Sequence, residues 1–433
     1  MLQFPLMLHH EFQSILDQLE RSSDHFFITG KAGTGKSTLL QIFRRTTRKR
    51  VAILAPTGIA ALNVKGQTIH SFFGFPPKML DPSDIKRSAN YRLYQNIDAI
   101  VIDEISMVRA DMLDNINLFL QKNRNNSLPF GGVQMIYFGD LFQLPPVVST
   151  DFERQYFQKN YDSPYFFSAY CMKAGNPPIM LELTKVYRQS ERKFVDLLDQ
   201  IRISEIDEYT LETLNTRYVP VPSNTDFYIT LCSRNAIADA INMKELQKLT
   251  DDKKRYPATI TGTFAPQLFP TEQILQVCRG AQVMFVKNDP LKQYVNGTIG
   301  KIEALSEDTL EVIIIDSEGY EKKIEVTPQD WEIIKYTRDT ENPEKIATEI
   351  IGTFRQFPIK LAWAITIHKS QGKTFDRVII DLGGGAFEFG QTYVALSRCR
   401  TLEGIILKKP IRSQDIFVDE KVMAFYDFMR RYS

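Results

Sequence analysis

Cysteine is scarce in this 433-residue chain. Cys171, Cys232, Cys278 and Cys399 stand far apart with no C-x-x-C pair, which excludes a disulfide framework and a structural zinc site. An excess of one charge is also missing. The 53 Lys+Arg against 52 Asp+Glu leave a formal net charge of +1, so a polybasic coat is excluded, while a groove with local basic groups is not. No apolar run approaches the ~18–20 residues that cross a bilayer. The opening MLQFPLMLHHEF has neither the basic start nor the small-residue cleavage site of a signal peptide. Internal repeats and low-complexity stretches are absent. What remains is ordinary globular composition, 43% hydrophobic and 24% charged, at a length that suggests about two to four domains. The expectation is a soluble intracellular protein, in the cytoplasm or on the nucleoid if the source is bacterial.

In the first 150 residues, short apolar runs alternate with helical patterns. DHFFITG (24–30), VAILAP (51–56), IDAIVIDEI (97–105) and VQMIYFGD (133–140) read as buried strands of a parallel sheet covered on both faces. Residues 141–181 turn irregular and rich in Pro and aromatics. TDFYITLCS (225–233), IKLAWAITI (359–367), FDRVIIDL (375–382) and GIILKK (404–409) read as a second set of buried strands. Between about 285 and 357, short alternating strands joined by tight turns suggest a small antiparallel barrel.

GKAGTGKST (30–38) completes G-x-x-x-x-G-K-[ST] directly after the strand FFIT and before the helical LLQIFRR. Such a loop, Gly30, Lys31, Ala32, Gly33, Thr34, Gly35, Lys36, Ser37 and Thr38, wraps a phosphate chain with backbone N–H groups at a helix N-terminus. Lys36 would neutralise the β- and γ-phosphates and the Ser37 hydroxyl would hold Mg²⁺. Asp103 and Glu104 end the strand IVIDE. Adjacent carboxylates there are unfavourable unless they serve a cation or a proton, so Asp103 is expected to hold Mg²⁺ and Glu104 to orient or deprotonate water. ATP and Mg²⁺ are the expected cofactors. SQGKTFD imitates the end of a second loop through Gly372, Lys373 and Thr374, but the required first glycine is Ile367, so a single nucleotide site is counted.

In order, the chain carries GKAGTGKST, APTGIAALNVKGQTIHSFFG, VIDEISMV, GDLFQLPPV, ELTKVYRQ, LAWAITIHKSQGKTFD and YVALSRCRT. This series resembles superfamily-one DNA helicases of the PIF-one (petite integration frequency) family, and 182–202 resembles that family's own signature. The resemblance implies an α/β fold of two RecA-like lobes with parallel sheets, ATP in the cleft between them and single-stranded DNA across their tops. It implies lobe 1 over 1–181, with a small pin or wedge about 62–79, and lobe 2 over 182–285 and 358–433. A Src-homology-three-like β-barrel at 286–357 would interrupt the second lobe. Carried onto this chain, Gln143 resembles a γ-phosphate sensor. Arg188 and Arg398 resemble the pair of arginines reaching that phosphate from the second lobe, an arrangement worth ~10³–10⁵ in rate.

The strand-binding segments follow from the same resemblance. Thr57, Gly58 and Ile59 in APTGIAA are expected to hold the DNA backbone. Thr68, His70, Phe72, Phe73 and Phe75 in QTIHSFFGF offer polar groups for phosphates and rings for stacked bases, although such phenylalanines are as often core. Ser233 and Asn235, with Thr366, His368, Lys369, Ser370 and Gln371, are the second-lobe candidates. The basic RRTTRKR (44–50) reads instead as a solvated helix end, and Asn296-Gly297 as a structural tight turn. Gln13 and Gln18 are both available to read adenine.

The leading expectation is a monomeric ATP-dependent helicase moving 5′ to 3′ on single-stranded DNA and opening tailed duplex. Family association extends this to G-quadruplex DNA and to replication, recombination, repair or telomere-type maintenance. A RecD-type recombination or conjugation helicase is an alternative within enzymes. A nucleotide-gated loading protein that grips without unwinding is an alternative outside that class. RNA as the tracking strand stays open at this level, and accessory targeting regions are expected to be absent.

Overall fold

A computed structural model describes residues 10–76, 78–174, 177–189, 191–316, 318–339 and 346–432. The first lobe is built on β1 (Phe26–Gly30), β2 (Val51–Ala55), β3 (Gln67–Thr68), β4 (Ala99–Ile102), β5 (Gln134–Phe138) and β6 (Ile179–Leu183). They form one parallel sheet in the order β3-β2-β4-β5-β1-β6. Four of these strands are the apolar runs expected from sequence. They are buried almost throughout, as expected of a parallel sheet covered by helices on both faces. β6 belongs here although it extends just past 181, because it pairs along the whole of β1.

The chain then forms β7 (Ile229–Cys232) and leaves on a long antiparallel excursion. This comprises β8 (Lys254–Pro257), β9 (Thr259–Gly262), β10 (Ile274–Val277), β11 (Gln282–Phe285), β12 (Ile299–Leu305), β13 (Leu310–Ile315), β14 (Glu321–Val326), β15 (Gln329–Arg338), β16 (Ile346–Gln356) and β17 (Ile359–Leu361). It returns as β18 (Ala364–Thr366), β19 (Val378–Asp381) and β20 (Ile405–Leu407), which with β7 form a parallel sheet ordered β18-β7-β19-β20. Antiparallel strands are thus already present from Lys254, upstream of 286. They form a five-stranded sheet β14-β13-β12-β11-β17, a three-stranded sheet β15-β16-β9 and the pair β10-β8. The run 359–367, read as a single strand, is divided. β17 pairs with antiparallel β11 and β18 pairs with parallel β7, so one short segment anchors both sheets.

Two long-range contacts shape the molecule. The helix Glu420–Tyr432, expected with lobe 2, packs on lobe 1. Its Phe425 stacks on Phe167 at 4.4 Å, its Tyr426 stacks on Phe142 at 4.8 Å, and the Tyr426 hydroxyl shares a 2.5 Å hydrogen bond with Thr29 on β1. The β15-β16 hairpin lies along the open edge of the first sheet. There the Tyr336 hydroxyl accepts the Ile53 N–H at 3.0 Å, and the Tyr336 N–H donates to the Gln67 side-chain oxygen at 3.3 Å. That hydroxyl satisfies a β2 amide beyond the reach of the two-residue β3, whose pairing with β2 starts only at Leu54.

Phe72, Phe73 and Phe75 are 4%, 4% and 8% exposed. They form an aromatic cluster with Tyr94, Phe119 and Tyr336. This corrects the expectation of Phe72 as a DNA contact. It also corrects a pin built on these rings, because faces closed by one another offer a base nothing to stack on. The basic stretch 44–50 behaves as the solvated helix end expected, with the helix Lys36–Thr46 closing just before Arg50 pairs with Asp98 at 2.6 Å.

Candidate active site

The loop between β1 and the helix Lys36–Thr46 opens a cavity of about 390 Å³ at the junction of the lobes. Gly33 is required by close approach as well as by its φ of +84°, because a Cβ there would lie 2.5 Å from the Arg188 Cβ. Ala32 through Thr38 line the cavity, and Gly30 and Lys31 orient its cation: the Lys36 ammonium donates to the Gly30 carbonyl at 2.6 Å and the Lys31 carbonyl at 3.0 Å. Asp103, Glu104, Gln143, Arg188 and Arg398 line the same cavity. All six residues expected to carry the chemistry therefore converge, from five separate segments of the chain.

The electrostatics suit a polyanion with a cation. Burial, followed by the charge of Glu104, pushes the Asp103 carboxyl up to about 7, and burial likewise raises Glu104. Burial pushes Lys36 down to about 8 against the attraction of Asp140 and Glu104. Arg188 is lowered to about 9 by burial and by Arg398, and stays charged at neutral pH. Two like-charged pairs, carboxylates on one wall and guanidiniums on the other, leave each wall short of a counter-charge. Mg²⁺ beside Asp103 and Ser37 and a triphosphate facing the arginines would supply both, so the donor set fits ATP with Mg²⁺. Glu104 is held at φ +51°, a left-handed backbone uncommon outside glycine, which turns its side chain off the end of β4.

Several participants escaped the sequence reading. Asp140, in the same GDLFQ stretch as Gln143, forms a buried 2.9 Å ion pair with Arg202. The Arg202 guanidinium lies 4.1 Å from the Phe142 ring centre. Tyr393 reaches from lobe 2 to accept the Ala32 N–H at 2.8 Å, tying YVALSR directly to the phosphate loop. Gln189 donates to the Ser397 and Cys399 carbonyls at 3.2 and 3.1 Å, and Arg188 donates to Ser397 at 3.2 Å. Asp140, Tyr393 and Gln189 each lie within five residues of a quoted arginine or sensor, and that adjacency was the available signal. Tyr187 lines the cavity beside Arg188. Gln13 and Gln18 do not. Gln13 is exposed and bonded to Asp17, Gln18 to Ser14, so neither expected adenine reader faces the cavity.

The strand-binding candidates are dispersed. Thr57 caps its helix by accepting the Ala60 N–H at 3.3 Å, and Thr68 caps the next by accepting that of Ser71 at 3.2 Å. Gly58 is covered by Leu268, whose Cδ2 would lie 2.2 Å from a Cβ, while Ile59 is exposed. Thr57 and His70 share a cavity of about 320 Å³ with Lys78 and Arg109. Burial and then Arg109 lower the His70 imidazole below its ordinary range, which favours the neutral ring. In lobe 2, Ser233 is half-buried, Asn235 and Lys369 are exposed, and His368 lies 2.9 Å from Glu388. Thr366 and Ser370 need correction as contacts. They are 4% and 0% exposed, Thr366 accepts the Lys369 N–H at 3.3 Å, and Ser370 donates to the Ile367 carbonyl at 2.6 Å, so both hold the turn itself.

With this geometry, similarity to known proteins becomes decisive. The family model for PIF1-like helicase matches residues 7–213. The ATP-dependent DNA helicase Pif1 of Bdellovibrio bacteriovorus is 33% identical over 430 residues, covering 97% of this chain and 91% of that protein. The chain belongs to the PIF1-like helicase family. Human ATP-dependent DNA helicase PIF1 is 33% identical over 98% of this chain, which spans 64% of the human protein's length. The crystal structure of Bacteroides sp Pif1 in complex with ADP-AlF4 superposes with a TM-score of 0.91 at 36% identity, over 99% of this chain and 98% of that one. The same helicase bound to ssDNA gives 0.69 at 38% identity, over 98% and 97%. The fold is therefore that of the PIF1-like helicases, an α/β P-loop architecture with parallel sheets, and the chain stands nearer the nucleotide complex than the DNA complex.

Proposed function

We propose that this chain is an ATP-dependent DNA helicase that translocates 5′ to 3′ on single-stranded DNA and opens duplex ahead of it. The observation that carries the reading is the convergence of Lys36, Asp103, Glu104, Gln143, Arg188 and Arg398, drawn from both lobes, on one cavity. A protein that only grips DNA needs no carboxylate to activate water and no arginine pair on a γ-phosphate. The names of the Bdellovibrio and human relatives, and the nucleotide and ssDNA complexes of the Bacteroides protein, support the same reading.

In the mechanism, the phosphate loop binds the nucleotide and Lys36 leaves its two carbonyls for the phosphates. Mg²⁺, held by Ser37 and Asp103, neutralises phosphate charge and fixes its orientation. Glu104 takes the proton of the attacking water and Gln143 orients that water against the γ-phosphate. Arg188 and Arg398 stabilise charge developing on the transferred group. Because Arg188 and Arg398 are bonded through Ser397 and Tyr393 is bonded to the phosphate loop, loss of the γ-phosphate loosens contacts on both sides of the cleft and moves the lobes. Thr57, Gly58, Ile59, Thr68 and His70 of the first lobe, and Ser233, Asn235, His368 and Lys369 of the second, would alternate their grip on the strand.

The finer readings belong to the same proposal. They are action by a single chain, G-quadruplex as a further substrate, service in repair, recombination or telomere-type maintenance, and an intracellular place on DNA. Among the described residues no helix is long and apolar enough to cross a membrane. We also read the five-stranded antiparallel sheet as the core of a Src-homology-three-like barrel. Unwinding of duplexes with a 5′ or a 3′ single-stranded tail, with ATP and Mg²⁺, tests the function. Only the 5′-tailed substrate should open, and Lys36→Ala should abolish it. Opening of the 3′-tailed substrate alone would refute the polarity. DNA-stimulated ATPase without opening of either would reduce the protein to a translocase or loader.

A further inference from the structure

One set of cations outside the nucleotide chemistry has too little counter-charge. Lys360 lies on β17, and Lys369 and Lys373 lie in the loop after β18, on either side of Ser370-Gln371-Gly372. Lys373 is 6% exposed, and among the described residues its ammonium has no hydrogen-bond or ion-pair partner. The charges facing it are those of Lys360 and Arg398, both repulsive. Lys360 faces Lys369 as well, with Glu272 and Asp239 in partial compensation. Burial and this crowding push Lys373 down to about 7 and Lys360 to about 8. The Gln371 side-chain nitrogen is likewise buried with no acceptor. The Asn296-Gly297 turn closes over the group. Gly297 has φ +104°, and a Cβ there would sit 3.4 Å from the Lys373 Cβ and 3.2 Å from the Thr374 carbonyl.

Donors without acceptors, buried together, are unfavourable in the empty protein and become favourable when an oxyanion arrives. The position identifies which one. Gly372 and Thr374 line the nucleotide cavity but Lys373 does not, while the turn His368–Ser370 belongs to the strand-binding segment. The ammonium is therefore presented away from the nucleotide. We propose that Lys360, Lys369, Lys373 and the Gln371 amide form a cradle for a phosphate group, the phosphodiester of the tracking strand. The inference rests on the single-strand motor reading above. It also explains why SQGKT resembles part of a phosphate loop without its spacing: the lysine serves phosphate from a different backbone. Because the cradle shares its loop with residues lining the nucleotide cavity, a phosphate seated there bears directly on the cleft.

The test uses the full chain and the variants Lys373→Met, Lys360→Met and Lys373→Arg. Binding of a fluorescent oligo(dT) is followed against salt concentration without nucleotide, together with binding of a fluorescent ADP and the melting temperature without DNA. Lys373→Met should weaken oligo(dT) binding and lower the slope of log K against log salt by about 0.7 for each phosphate no longer neutralised. It should leave ADP affinity unchanged and leave the melting temperature equal or raised, since an uncompensated charge has gone. Lys360→Met should lower the slope in the same way. Lys373→Arg should restore it. A lowered melting temperature with an unchanged slope would make the lysine structural and overturn the cradle. Loss of ADP affinity with an unchanged slope would assign the phosphate to the nucleotide and overturn the strand reading. Failure of the unaltered protein to bind oligo(dT) while it hydrolyses ATP would sink the motor reading. In that event unchanged ADP affinity in Lys373→Met would sink the cradle as well.

Discussion

The nucleotide cleft and the strand-binding face differ in how their residues are held. In the cleft, each chemical group is fixed by its own short motif, and tertiary contacts only bring the motifs together. On the strand face, half the candidates serve the fold first. Phe72 and Phe73 are core, Thr366 and Ser370 bond their own turn, and Gly58 is covered by Leu268. A phosphate chain needs a fixed nest of amides, whereas a strand that must slide needs a surface that can change. The TM-scores of 0.91 and 0.69 against the nucleotide and ssDNA complexes point the same way, because one arrangement of this chain fits the first much better than the second.

The largest effect is expected in the cleft. Arg398→Ala should lower ATP turnover by ~10³–10⁵ while changing ADP affinity little, because its target is charge developing on the transferred phosphate. Single-turnover hydrolysis measures this, and a loss below tenfold would remove Arg398 from the transition state. Next in size is Phe73→Ala, which should destabilise the protein by ~3–5 kcal/mol in chemical denaturation. If stability held and oligo(dT) affinity fell instead, the ring would be a stacking platform and the contrast between the two regions would fail. Tyr336→Phe leaves the Ile53 N–H without its acceptor and should cost about 0.5–1.5 kcal/mol, seen as a lower denaturation midpoint at unchanged slope.

The smallest effect is in pH dependence at the edge of the strand face. Arg109, which lines the Thr57–His70 cavity, is paired with Glu153 at 2.7 Å. Burial works against the Glu153 carboxylate, but the Thr150 N–H, the Arg109 guanidinium and the Ser149 N–H hold it down to about 2. Its folded value lies below its unfolded value of about 4.3, so its contribution is complete above that pH and disappears as pH falls toward 2. Glu153→Gln should therefore flatten the acid limb of the stability curve between roughly pH 4 and 2. An unchanged acid limb would mean that Arg109 is not held by this carboxylate.

Much of the cleft was legible because its determinants are contiguous. Glycine spacing around Lys36 and the carboxylates closing β4 specify local backbone geometry, and four apolar runs specified four of the six strands of the first sheet. The strand face was less legible. QTIHSFFGF carries aromatics suited equally to a base or a core, and only the positions of Tyr94, Phe119 and Tyr336 decided for the core. The division of 359–367 between two sheets left no mark in an unbroken apolar run. Nor did the return of Phe425 and Tyr426 to lobe 1, which depends on the first lobe offering Phe142 and Phe167 to meet them.

By itself, then, the sequence determined a single phosphate loop, its metal corner and the order of motifs that place the chain among the PIF1-like helicases. These depend on interactions over a few residues, which chain connectivity enforces. Only the tertiary structure decided which aromatic rings are core, which hydroxyls are already bonded, and that Lys360, Lys369 and Lys373 share a site short of counter-charge. Burial and the strength of a charge depend on everything packed around a residue, and those neighbours come from hundreds of positions away.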